Sequence, residues 1–202
     1  MHVSDSQNAL AGLRRWTLER DDSGPHRVYR DKRGNTYASV THILKETSPQ
    51  WQKDALDRWL ERPTAPAERD LACQRGTLAH DHAEYVLKTA AKLARNSANK
   101  RGSWRTGDDG LERAPKGITT WAIEKAIQGA PRVSWSASGY ARGLRSWIGE
   151  NVTAIHAVEF AIHDPRGWAG TADALLDIDG TLCITDWKTS VNARSEEMLS
   201  NY

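Results

Sequence analysis

The stretch Ala172-Asp173-Ala174-Leu175-Leu176-Asp177-Ile178-Asp179-Gly180-Thr181-Leu182-Cys183-Ile184-Thr185-Asp186-Trp187-Lys188 decides the fold. Two apolar runs, 172–178 and 181–187, flank Asp179-Gly180, and a two-residue Asp-Gly loop between apolar strands is the signal for a type I′ β-hairpin. That turn sets the register, because a slip of one residue would send every side chain to the wrong face. With Ile178 paired to Thr181, Asp173 stands directly opposite Asp186.

Two carboxylates so placed repel. Opposed Cβ atoms on an antiparallel pair lie roughly 4.5–5.5 Å apart, and like charges about 4 Å apart at an effective dielectric near 20 cost on the order of 4 kcal/mol. A divalent cation between them removes that cost. Protonating one carboxyl also removes it, but the cation explains more of the sequence. Period-2 alternation puts Lys188 on the face of Asp186, roughly 6.6 Å further along. Oxygen ligands favour a hard ion, Mg2+ or Mn2+, which can polarise a phosphoryl oxygen and make hydroxide available from bound water. Lys188 is then placed either to position or activate that water or to stabilise charge developing on the phosphate. Singly, each residue has a structural use: a turn cap for Asp173, an exposed ion pair for Asp186 and Lys188. Their combination in one register points to catalysis.

Outward from the hairpin, residues 152–163 read as a preceding strand, with Asp164-Pro165-Arg166-Gly167 as the turn between them. Further upstream the period is helical. Helices are expected over 51–60, ended by Pro63 and Pro66, over a long run 70–95 that carries His80 and Glu84 one turn apart, and over 120–128 and 138–147. Residues 96–117 turn polar and glycine-rich, which predicts a loop or insertion. Near the start, 27–31 and 35–40 form a short hairpin around Lys32-Arg33-Gly34, and Ser39 is placed to cap the helical turn that follows. The expected architecture is α/β of the α+β kind: a central mixed β-sheet flanked by helices, with a helical N-terminal region, in one domain over 1–202.

Composition bounds the rest. The 202 residues hold 28 Lys+Arg against 26 Asp+Glu, so no polybasic or acidic tail dominates, and 39% hydrophobic residues can bury a core. No apolar run approaches the roughly 20 residues of a spanning helix, and residues 1–10 lack the apolar core of a secretory signal, which makes the cytoplasm the default compartment. Two cysteines, Cys73 and Cys183, suit neither a disulfide framework nor a thiolate metal site.

The strings Gly167-Trp168-Ala169-Gly170-Thr171-Ala172-Asp173 and Asp179-Gly180-Thr181-Leu182-Cys183-Ile184-Thr185-Asp186-Trp187-Lys188-Thr189-Ser190 resemble motifs II and III of the PD-(D/E)XK nuclease superfamily. The likeness is to its RecB-like exonuclease branch, which includes mitochondrial genome-maintenance exonucleases and related phage nucleases. The resemblance implies a restriction-endonuclease-like core, with Asp173 and Asp186 as metal ligands, Lys188 as the catalytic lysine and the Trp187 carbonyl completing the metal shell. Glu159 in Val158-Glu159-Phe160 matches the acid on the preceding strand. His80, in Arg75-Gly76-Thr77-Leu78-Ala79-His80, resembles the helix histidine directed at the metal. Tyr37-Ala38-Ser39-Val40-Thr41-His42-Ile43-Leu44 is similar to a further segment of that branch, with Ala38 in place of its proline. Relatives with a cysteine-ligated iron-sulfur cluster are a subgroup that two cysteines argue against. Family members continue after the lysine strand into a helix bearing a glutamine-x-x-x-tyrosine signature, and residues 196–202 resemble its beginning. That departure predicts a partner chain supplying a missing C-terminal part, or a loss of activity.

Residues 85–107 contain Lys88, Lys92, Arg95, Lys100, Arg101 and Arg105 without an Asp or Glu. Lys100, Arg101 and Arg105 are the candidate phosphate contacts, with Trp104 to stack on a base; the plainer reading is a solvated helix end and loop. The expected activity is a metal-dependent DNA exonuclease acting on single-stranded or end-bearing DNA in replication, repair or recombination. The competing expectations are a catalytically inactive DNA-binding or assembly protein of the same fold, and an endonuclease of the same superfamily.

Overall fold

The computed structural model describes residues 18–107 and 110–190. Its chain is mixed α/β, with a six-stranded mixed sheet flanked by helices. Strands β1 (Glu19–Asp21), β2 (Val28–Arg30) and β3 (Thr36–Ser39) form an antiparallel meander. Helices α1 (Val40–Thr47), α2 (Gln50–Leu60) and the long α3 (Ala65–Arg101) follow. A small pair, β4 (Arg105–Thr106) and β5 (Glu112–Arg113), precedes α4 (Lys116–Gly129) and α5 (Ser138–Asn151). Then β6 (Val152–Asp164), β7 (Trp168–Ile178) and β8 (Thr181–Thr185) complete the main sheet.

Strand β7 is the axis of the molecule. Its residues Ala172 to Asp177 are all buried, the mark of a strand covered on both faces. Strand β6 runs antiparallel along its whole length. The other edge is shared: β3 pairs parallel with Trp168 and Ala169, and β8 pairs antiparallel from Ala174 to Ile178. Between those two partners the edge of β7 is unpaired among the described residues.

The main core lies between the sheet and α3–α5. Ala83, Val86, Leu87, Ala90, Ala94 and Ala98 of α3 pack with Ile118, Ala122, Ile123 and Ala126 of α4, Ile148 of α5, Val152 of β6, and Ala174 and Leu176 of β7. Alanine at spacings of four along α3 lets α4 approach closely, since ridges of methyl groups leave little to keep the axes apart.

Several boundaries differ from the sequence reading. Helix α3 was expected over 70–95 and runs Ala65–Arg101. Pro66 stands in its first turn, where no backbone N–H is needed. At the other end Ala98 is fully buried in the core, which holds the last turns helical until Gly102 ends them in the left-handed conformation (φ 57°). The expected loop 96–117 therefore begins six residues late, includes the β4–β5 pair, and gives Leu111 and Ala114 to the interior. Ser39 occupies the N-cap position of α1, but its buried side chain makes no capping hydrogen bond. Strand β7 starts at Trp168, four residues before the expected 172, because its ladder with β6 continues to Asp164. Among the described residues no helix is long and apolar enough to cross a membrane.

Candidate active site

Asp179 and Gly180 both have positive φ (49° and 83°), as a type I′ turn requires. The register follows as the turn dictates, from Ile178 opposite Thr181 to Ala174 opposite Thr185. The next pair would be Asp173 and Asp186, and here the strands part. Strand β8 ends at Thr185 rather than at the expected 187. In place of a ladder bond, the Trp187 N–H donates to the Asp173 carboxylate (2.5 Å). Asp173 thus sits at the fork, at one limit of the open edge of β7.

The chain beyond the fork is held from three sides. The Trp187 indole stands edge-on to Trp147 of α5, with ring centroids 5.3 Å apart. The Tyr140 hydroxyl donates to the Ser190 carbonyl (3.1 Å). A Cβ at Gly76 of α3 would lie 3.4 Å from the Thr189 hydroxyl oxygen, so the lysine-bearing segment passes close to the helix at its one side-chain-free position there. With Trp187 turned inward, the exposed Asp186 and Lys188 form an ion pair with each other.

Helix α3 contributes the opposite wall. His80 Nδ1 is 3.5 Å from the Asp173 carboxylate. That hydrogen bond is the largest influence on His80 and outweighs burial, so its pKa stands above the usual imidazole value, with a backbone hydrogen bond to Trp187 and the charge of Asp186 adding to it. For Asp173, burial is the largest single influence and opposes ionisation. The His80 and Trp187 hydrogen bonds, with the charges of His80 and Lys188, together outweigh it, and the pKa lies below the ordinary carboxylate range.

Glu159 stands on β6 directly across from Asp173, between the pairs Val158–Ala174 and Phe160–Ala172. Its φ of 50° is left-handed, a conformation a non-glycine residue rarely holds and one that concentrates at functional sites. The residue is open to solvent, yet its carboxyl is partly withdrawn from water. That withdrawal, followed by the charges of Asp173 and Glu84, raises its pKa. Glu84, one turn after His80, was not among the candidate ligands. It forms an ion pair with Lys88. The signal was present in the sequence as the four-residue spacing from His80.

The donor set around the fork, three carboxylates and one imidazole, has the chemistry of a divalent cation site. As the side chains stand, no three His, Cys, Asp or Glu among the described residues converge at ligand spacing. Asp173 is engaged by Trp187 and His80, and Asp186 by Lys188. Cys73 and Cys183 are both free.

The four candidate nucleic-acid residues are not brought to this site. At about 1.5 Å per residue, Lys100 and Arg101 lie roughly 30 Å from His80 along α3. Trp104 packs partly against the core and its indole N–H donates to the Asn99 side chain. Arg105 is exposed on β4.

No family model matches the chain, and no solved structure matches it. Among characterised proteins it is similar to Mitochondrial genome maintenance exonuclease 1 of Mus musculus, at 24% identity over 164 residues. The match covers 77% of this chain and 38% of that protein. The chain is thus similar, over most of its own length, to less than half of an exonuclease.

Proposed function

We propose that the chain is a metal-dependent DNA exonuclease with a restriction-endonuclease-like core of the PD-(D/E)XK kind. The observation that carries the reading is the fork of β7 and β8, where Asp173 and the Asp186-x-Lys188 sequence leave a fixed register beside Glu159 and His80. The similarity to an exonuclease supports it.

Asp173, Asp186, Glu159 and His80 would hold Mg2+ or Mn2+. Such an ion supplies Lewis acidity towards a phosphoryl oxygen and lowers the pKa of its bound water. His80 and the Trp187 N–H fix the direction of the Asp173 carboxylate. Lys188, tethered to Asp186, brings a positive charge to where negative charge gathers on the phosphate in the transition state. The packing of Trp187 against Trp147 keeps the segment carrying both residues from drifting. The substrate in this reading is single-stranded or end-bearing DNA, in replication, repair or recombination.

End-labelled linear and circularised single-stranded DNA, each with Mg2+ or with EDTA, test the reading. Loss of the linear strand only with Mg2+, while the circle survives, is expected. Cutting of the circle would replace exonuclease by endonuclease, and no cutting of either DNA with Mg2+ contradicts the activity. A second reading, a DNA-binding protein of this fold without cleavage, is favoured by one observation: the carboxylates at the fork are engaged by donors of the chain itself and do not converge.

A further inference from the structure

From His80, which faces Asp173, the row of every fourth residue of α3 passes through Glu84 to Lys88 and Lys92, turning about 40° round the helix at each step. At about 100° per residue, Lys88, Lys92, Arg95 and Asn99 fall within an arc of roughly 60° on α3, turned about 150° from the middle of the buried face formed by Ala79, Ala83, Val86, Leu87, Ala90, Ala94 and Ala98. All four are exposed. Along the axis, Lys88, Lys92 and Arg95 stand about 12, 18 and 22 Å beyond the level of His80. Lys88 is tied to Glu84 at the margin of the site, whereas Lys92 and Arg95 meet no acid among the described residues. Two acids of α3 fall in the same arc, Asp70 and Asp81, and both precede Lys88. The face therefore runs from acidic at the fork to basic away from it. Lys100 and Arg101 point roughly 110° and 150° away from the middle of the arc, so they are not part of the same track.

We infer that this face of α3 is a backbone rail: Lys88, Lys92 and Arg95 bind successive phosphates of the single DNA strand whose end lies at the fork. The inference rests on the proposed activity and adds which surface the substrate occupies beyond the reacting bond. Two features commit the occupant to a polyanion that tracks the helix. The charges from Lys88 to Arg95 are of one sign, and the row that begins at His80 leads through Glu84 into the arc they share.

The test is a titration of a fluorescent oligothymidine of about 20 nucleotides, longer than the roughly 4–16 nucleotides such surfaces cover, in EDTA so that nothing is cleaved. Binding is measured across a salt series for the natural chain, for the double variant Lys92→Ala/Arg95→Ala, and for Lys125→Ala, an exposed lysine of α4. Single-strand binding loses about 0.7 in logarithmic salt slope per phosphate contact. The double variant is expected to lower the slope by about 1.4 and affinity by about tenfold at low salt, with Lys125→Ala unchanged. That result supports the rail whether or not the chain cleaves DNA. An unchanged slope in the double variant overturns the rail and leaves the proposed activity standing. An equal loss in Lys125→Ala makes the effect one of overall charge and also overturns it. Absence of binding by the natural chain overturns both.

Discussion

At the scale of single residues, Asp173 joins stability and function. Its carboxylate takes a backbone N–H from Trp187 and faces His80 while largely buried. Asp173→Asn keeps an acceptor but removes the charge, so it is expected to abolish cleavage and to cost about 1–2 kcal/mol, the difference between a charge-assisted and a neutral hydrogen bond, readable as a shift in urea midpoint. His82 gives an independent check away from the fork. It is buried, accepts a hydrogen bond from Arg145 Nε (2.7 Å), and has its pKa lowered by burial first and by the Arg145 charge second. Between this lowered value and the unperturbed 6.5, the unfolded chain binds more protons than the folded one. The stabilising contribution is complete above pH 6.5 and fades as pH falls through the folded pKa. Denaturation midpoints at pH 8 and pH 5.5 should differ less in His82→Gln than in the natural chain. Neither the Arg145 partnership nor the left-handed Glu159 was legible in the sequence. The first joins residues 63 apart through packing, and the second is a local departure from strand geometry that alternation does not encode.

Among the elements, the hairpin is where local chemistry alone was enough. Asp179-Gly180 needs two positive φ angles, glycine supplies one without strain, and the register follows. Gly180→Ala should cost about 1–2 kcal/mol, the penalty of a Cβ in the left-handed region, without changing the core; a thermal melt reads it. The strand end at Thr185 was not legible, because what stops the ladder is the Asp173 carboxylate taking the next N–H. Helix α3 shows the same limit. Its polar last turns read as loop, and the buried Ala98 and the Gly102 cap keep them helical. Gly76 marks where α3 and the lysine segment nearly touch. Gly76→Val would push Thr189 away and is expected to lower kcat at least tenfold with little change in DNA affinity, since a small misplacement of Lys188 costs rate rather than binding.

Across the whole molecule, β7 organises everything: one partner along β6, two short partners on the other edge, and an open stretch between them that ends at Asp173. Helix α3 closes over that opening with His80 and leads away from it with a basic face. The near-zero net charge conceals this division of acids and bases along one helix. The layering of helices on a mixed sheet was readable from the change of period near residue 152. The parallel pairing of β3 with β7 was not, because it joins segments about 130 residues apart through two residue pairs. The most direct test of the account is the single-turnover rate of Mg2+-dependent cleavage of a linear single strand by the natural chain and by Lys188→Ala. A fall of about a hundredfold or more with DNA binding retained is expected; equal rates in the two proteins would overturn the role proposed for Lys188.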